Sequence, residues 1–391
     1  MMILAKYNDD LHNHYQAIFN RQDYQCFYAP GRVNLIGEHT DYNNGFVMPL
    51  AINMGTTVAI APRDDTKISV YSKNLNQLDS FDLHHFSSSE HSQWCRYIGG
   101  MLSLIQQSTK NITKVKGADI YISSNLPIGA GLSSSASLTV ALGYAYATLY
   151  QLKLSKTDIA KFAQQVEHQY IGTLCGIMDQ MVCSSARQHH ALLIDCQSLN
   201  TEHIPFNLSG VSLMICDSNV KHNLAESAYN KRRESCEKVA KIFNIASLRE
   251  LTIEQLITSK DLLDIESLQC AKHVVNENHR VLQAANAMKN ADWLTLGKLM
   301  YASHNSLQYD YKVSCDELDY LVELSIAYSG VYGARMTGGG FGGCTIHLVQ
   351  DHVIDDYQHY LKTAYYKRFN KAPTFYISRA YQGVHLVDGA N

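Results

Sequence analysis

Four segments of the chain concentrate residues that can do chemistry. In Leu126–Ser137, two glycines and three serines stand between a strand-like run, Ala118–Ser124, and a helix-forming run, Ala136–Leu152. Glycine lets backbone amides approach an anion, and the first turn of a helix offers unpaired N–H groups at its positive end. The segment is a phosphate cradle by physics, and a serine hydroxyl at the helix start can reach a divalent cation. It is not a Walker loop, because no G-x-x-x-x-G-K-[ST] occurs. Read locally, the same residues also fit a plain Gly/Ser turn capping a helix. The second segment, Pro30–Tyr42, gathers Arg32, Glu38, His39 and Asp41 beside Gly31 and Gly37. So dense a set of donors and acceptors suits a hydroxyl-rich ligand, or a surface loop of mixed charge. His39 belongs to no H-E-x-x-H, which argues against zinc.

In the third segment, Gly176–Met181, Asp179 lies among methionines. A carboxylate so placed needs a cation or a task, or is simply a satisfied structural group. The fourth, Thr337–Cys344, contains G-x-G-x-x-G at Gly338, Gly340 and Gly343. A dinucleotide fold would continue into a helix, but Thr345–Val349 reads as a strand. A glycine loop packed close against another backbone fits better.

The elements that must position these segments follow from periodicity. Gly55–Arg63, Lys67–Ser72, Ala118–Ser124, Ala191–Asp195, Val211–Asp217, Thr345–Val349 and Thr374–Ser378 read as strands. Ser155–Tyr170 reads as a helix with a capping-box start at Ser155 and Asp158, and Glu167 falls off its apolar face. From Leu224 to about Ala327 the pattern is mainly helical. Strands followed by helices, twice, predict an α+β architecture with a boundary near residue 205.

Bulk composition excludes several function classes. Of 391 residues, 46% are hydrophobic and 18% charged, which supports a large core and argues against disorder. The 33 basic and 36 acidic residues leave no basic stripe for nucleic acid; Lys231–Arg233 reads as a solvated helix face. The N-terminal apolar stretch is too short for a secretory signal, and Leu138–Leu152 is too interrupted for a membrane span. Ten cysteines without a Cys-x-x-Cys pair predict reduced, buried thiols in a cytoplasmic protein. The glycosylation patterns at Asn111 and Asn207 carry no meaning there.

Together, and in this order, the four segments resemble the galactokinases, within the wider group of GHMP small-molecule kinases that includes homoserine and mevalonate kinases. Cys175–Gln180 and Asp316–Glu323 match as well, so the likeness runs from residue 29 to 344. The resemblance implies a two-domain GHMP kinase fold with the active site in the cleft between domains 1–205 and 206–391. It implies that Gly129, Ala130, Gly131, Leu132, Ser133, Ser134 and Ser135 wrap the phosphates of ATP, and that Ser135 and Glu167 hold Mg²⁺. It implies that Glu38, His39, Thr40, Asp41, Gly176, Asp179 and Tyr229 contact galactose. Asp179 and Arg32 are then catalytic, and Trp94 stacks near the adenine.

The expected reaction is phosphorylation of galactose at its anomeric hydroxyl, the first committed step of galactose catabolism, by a monomer without nucleic-acid or membrane partners. Competing readings are a non-catalytic galactose sensor, a kinase for N-acetylgalactosamine or arabinose, and a dehydrogenase resting on the 338–343 glycines.

Overall fold

A computed structural model describes residues 2–109, 115–127, 129–206, 209–220 and 225–387. Asn111–Thr113, Asn207 and the Leu224 start of the helical half lie outside the described residues.

The first half is built on a six-stranded sheet ordered β13-β1-β3-β6-β4-β5. Its strands are β1 (Gln25–Asn34), β3 (Pro49–Pro62), β4 (Lys67–Ser72), β5 (Gln77–Asp82), β6 (Ala118–Ser124) and β13 (His385–Leu386). Only β4 and β6 pair in parallel. β13 comes from the far end of the chain, so the C-terminal segment returns to the first half and pairs with β1. A small sheet, β2 (Phe46–Val47), β7 (His190–Asp195) and β8 (Thr201–Pro205), lies beside it.

Helices α1 (Met2–Phe19), α2 (Gln93–Ser108), α3 (Ser134–Leu149), α4 (Lys156–Val166) and α5 (Met178–Ser185) complete this half. α3 is buried against β1 and β3 through Ala136, Val140 and Ala141. The capping box at Ser155 and Asp158 starts α4, as the sequence predicts. The helix ends four residues earlier than expected, and Glu167–Ile171 continue it as a wider π turn.

The second half carries a four-stranded sheet ordered β10-β11-β9-β12. Its strands are β9 (Val211–Asp217), β10 (Val331–Thr337), β11 (Cys344–Gln350) and β12 (Thr374–Ser378). The helical region resolves into α6 (Ala225–Ile242), α7 (Ile253–Thr258), α8 (Ile265–Lys289), α9 (Trp293–Tyr309) and α10 (Asp316–Ile326), with α11 (Ile354–Phe369) following β11.

One hydrophobic cluster joins the halves. It combines Val33, Leu35 and Met48 from the first with Leu213, Val281, Leu296 and Ile346 from the second, and it includes Leu126, Ala130 and Leu132 of the glycine–serine turn. The segments with chemical potential therefore stand on the seam of two packed layers, where burial fixes them. Among the described residues, no helix is long and apolar enough to cross a membrane. All ten cysteines are free, and eight of them are buried.

Candidate active site

The strand that carries Arg32 was not legible as one, because Pro30 and Gly31 punctuate it and burial on both faces removes alternation. It slips register against β3 between Pro30 and Arg32. Gly31 is needed there: a Cβ would lie 2.5 Å from Leu132 O. The Arg32 amide donates to that same carbonyl at 3.2 Å, so β1 is sewn to the 129–135 turn.

From this anchor the Arg32 side chain reaches the start of α5. Nε donates to Asp179 Oδ1 at 2.7 Å and Nη2 to Oδ2 at 2.6 Å, a two-pronged ion pair. Nη1 donates to Gly131 O at 2.7 Å. Ser133 Oγ donates to Asp179 Oδ2, a partnership the sequence did not suggest. The cation that Asp179 required among its methionines is thus Arg32.

The turn after β1 brings Glu38, His39 and Asp41 to the same place. Gly37 has φ +102°, and a Cβ there would meet Phe46 O at 2.8 Å. Thr40 is fully buried, its single hydroxyl proton shared between Gly37 O at 2.8 Å and Phe46 O at 2.6 Å. It holds the turn and does not line the cleft. Burial pushes the Asp41 carboxyl up to about 7, and the Asp179 charge adds to this. Gly176 leaves room for that carboxylate: a Cβ on it would lie 1.9 Å from Asp41 Oδ2.

His39 is held neutral by burial, its imidazole lowered to about 3. Its Nε2 faces Gly339 O at 3.2 Å, and a carbonyl only accepts, so the proton is assigned to Nε2. Nδ1 then accepts from the Tyr42 hydroxyl at 2.8 Å, which in turn accepts from Tyr311 at 2.8 Å. Tyr229, on α6, packs its ring against His39 and Tyr42 at centroid distances of 5.4 and 5.3 Å.

Arg32, Glu38, His39, Asp41, Gly176, Asp179 and Tyr229 together line a cleft of about 390 Å³, joined by Cys175 and Met178 from the stretch around Asp179 and by Thr173 and Asn230, which the sequence reading had not singled out. Gly338, Gly339 and Gly340 close one wall. These glycines form the β10–β11 hairpin turn, which excludes a dinucleotide fingerprint. Gly340 has φ +87° and a Cβ there would lie 2.2 Å from Val313 O, the close backbone packing expected of this loop.

Across the same glycines opens a second hollow of about 240 Å³, lined by Gly129, Gly131, Val220 and residues 337–343. Ala130 and Leu132 point into the core and offer only backbone here. Ser133 takes left-handed φ +62° at the start of α3 and makes no capping bond, since its hydroxyl is turned to Asp179. A third hollow of about 340 Å³ lies beyond Ser134 and Ser135 and is lined by Trp94, Tyr97 and Leu138.

Glu167 stands behind Ser135, only 5% exposed. Burial pushes its carboxyl up, while Ser135 hydrogen-bonds the ionised form. The Tyr97 hydroxyl donates to its Oε2 at 3.4 Å. Among the described residues, no cationic side chain pairs with it. A buried carboxylate beside hydroxyl oxygens and without a cation is a donor set suited to a hard divalent ion such as Mg²⁺.

Comparison with known proteins adds what geometry cannot. Residues 13–62 match the family model described as the galactokinase galactose-binding signature, residues 96–187 the GHMP kinases N terminal domain, and residues 284–367 the GHMP kinases C terminal region. The chain is 44% identical to a galactokinase of Mannheimia succiniciproducens over 94% of its own length and 96% of the relative's. It is 44% identical to a Haemophilus influenzae galactokinase over 95% and 98%. A Lactococcus lactis galactokinase, solved in complex with galactose, superposes with TM-score 0.92 at 33% identity, covering 97% of this chain and 99% of that one. Mevalonate kinase from Methanococcus jannaschii shares the fold at TM-score 0.62 and 21% identity, covering 93% of this chain and all of the other.

Proposed function

This chain belongs to the galactokinase family and is a kinase, and we propose that it moves the γ-phosphoryl group of Mg·ATP onto the anomeric hydroxyl of galactose at the Arg32–Asp179 pair. In this reading the sugar occupies the cleft between Glu38, His39, Asp41, Gly176, Asp179 and Tyr229. The triphosphate lies along Gly129–Ser135 and the 338–343 turn, with the adenine toward Trp94.

The observation that carries the reading is the hydrogen-bond count at Asp179. A carboxylate has about four lone-pair positions. Oδ2 uses two, on Arg32 and Ser133, and Oδ1 uses one. One acceptor position therefore remains on Oδ1, enough for a single sugar hydroxyl. Arg32 likewise has one further N–H on each of Nη1 and Nη2 beyond those bonded to Gly131 and Asp179, available to a phosphoryl oxygen.

Asp179 orients the nucleophilic hydroxyl and accepts its proton, while Arg32 stabilises charge developing on the transferring group. Because the carboxylate is already paired, proton transfer comes late. Ser135 and Glu167 would hold Mg²⁺, which would supply neutralisation of phosphate charge. Positioning carries most of the remaining barrier reduction. The ten free thiols and the ATP requirement suit an enzyme working in the cytoplasm.

The test is product identity. Purified protein with Mg·ATP and galactose should yield galactose 1-phosphate by ³¹P NMR, and glucose should be a poor substrate because the site's buried polar groups fit one hydroxyl pattern. No sugar phosphate, or equal kcat/KM for both sugars, overturns the reading.

A further inference from the structure

Behind the sugar cleft lies a group of buried charges of which only Glu38 meets a ligand in the reading above. Glu38 lines the cleft, yet its Oε1 is turned the other way. That oxygen accepts from the Gly338 amide at 2.8 Å and from Thr337 Oγ1 at 3.3 Å, and it faces Arg335 Nη2 at 3.6 Å. Arg335, on β10, is completely buried. Its Nη1 donates to Asn34 O at 3.2 Å, while Nε and Nη2 make no hydrogen bond. A guanidinium so poorly bonded is costly to bury unless nearby negative charge offsets it.

Two carboxylates are close enough to supply that charge. Glu277 is already committed: it accepts from Gly37 N at 2.9 Å, from Ser303 Oγ at 2.5 Å and from Arg280 Nε at 2.6 Å. Glu38 is the carboxylate left for Arg335. The remaining titratable and charged groups around Glu38 are Arg32 on β1, His39 and Asp41 in its own turn, and His273 and Arg280 on α8.

We propose that Arg335 is a positioning residue for the sugar: from the strand that leads into the 338–343 turn, it faces Glu38 Oε1 and fixes the aim of that carboxylate, which joins sugar cleft and glycine turn as one surface. Arg335 itself never reaches the cleft and acts only through Glu38. Burial pushes the Glu38 carboxyl up, and Arg335, ahead of Arg32, opposes that rise. Removing Arg335 therefore lets Glu38 hold a proton to higher pH, where a sugar hydroxyl loses its ionised acceptor.

The proposal rests on the galactose reading, and the wild-type assay separates the two failures. If wild type does not phosphorylate galactose, the reading fails; if it does, the variants below judge Arg335 alone. Arg335→Gln is expected to raise the galactose KM at least about ten-fold with a smaller change in ATP KM. Its kcat/KM for galactose should rise with pH more steeply than in wild type, a change that a merely structural role would not produce.

In a Glu38→Gln background the same substitution should cost less than about three-fold, since the charge it serves is gone. Arg335→Lys, which keeps charge but loses the fork, should restore the wild-type pH profile while leaving a few-fold KM defect. A wild-type KM and pH profile in folded Arg335→Gln, or an equal loss in both backgrounds, overturns the proposal. If Arg335→Gln does not fold, Arg335→Lys decides: an unchanged galactose KM in that variant also overturns it.

Discussion

The two sides of the 338–340 turn are made of different material. On the sugar side the wall is side chains: Arg32, Glu38, His39, Asp41, Asp179 and Tyr229, most of them charged, Tyr229 held by ring packing and the others by hydrogen bonds. On the other side the wall is mostly backbone, with Gly129, Gly131, Gly338, Gly340, Gly342 and Gly343 at positive φ. A sugar is told from its isomers by the direction of single hydroxyls, so it needs directional groups that are left unpaired by the wrong one. A phosphate is nearly symmetric and is met by any array of N–H groups. The difference teaches where each side is vulnerable: the first to changes of side chain, the second to changes of backbone freedom.

The comparison breaks most sharply where the two sides touch. Asp179→Ala should lower kcat by about a thousand-fold, and Arg32→Lys by tens- to thousands-fold, because in the proposed reaction each removes a group that works at the moment of transfer. Near-normal kcat in folded Asp179→Ala would remove that residue from catalysis. Gly176→Ala comes next. It sits on the sugar side yet acts through space alone, forcing the Asp41 carboxylate aside. A displacement of about 1 Å costs on the order of a hundred-fold, here expected in kcat/KM for galactose with ATP KM unchanged.

The pH dependence of the sugar side follows from Asp41. Its carboxyl is raised to about 7 by burial and by Asp179, so it is ionised above that pH and protonated below. If the ionised form accepts a sugar hydroxyl, kcat/KM for galactose falls as pH drops from 8 to 6, approaching ten-fold per pH unit on the acid side. Asp41→Asn should flatten this limb at a low value. A flat wild-type profile would mean that Asp41 takes no part through its charge.

How much of this was legible in the sequence depends on distance along the chain. The strand Ala118–Ser124, the glycine–serine turn and the start of α3 are local, and composition announces them. The capping box of α4 spans only four residues and is equally plain. The Arg32–Asp179 pair spans 147 residues, and resemblance alone linked its members beforehand. Gly176 and Asp41 show nothing of their contact in their neighbourhoods, because the constraint is a missing Cβ met by a distant carboxylate. Glu277 on α8 is 240 residues from Gly37, whose amide it holds, and in a helical pattern it reads as one more surface charge. Thr40 was placed among sugar contacts by the resemblance, whereas its hydroxyl is occupied by the turn itself. Pattern finds elements and glycine turns; it does not find buried charges whose partners come from another layer.

The mildest test isolates backbone freedom. Gly131 has φ +73°, and an added Cβ would meet nothing within 4 Å. Space is therefore available, and only the left-handed conformation opposes alanine, at roughly 1–2 kcal/mol. Carried into nucleotide binding, that is roughly a five- to thirty-fold rise in ATP KM. Galactose binding measured without nucleotide should stay within about two-fold, since no side chain on the sugar side has changed. The carbonyl of Gly131 complicates the split in an informative way, because it accepts from Arg32. If alanine turns that carbonyl, the guanidinium loses a tether and kcat falls together with ATP affinity. If the backbone simply absorbs the strain, KM moves alone. Should galactose binding weaken by the same factor as ATP binding, the two walls respond as one body and the contrast between them is wrong.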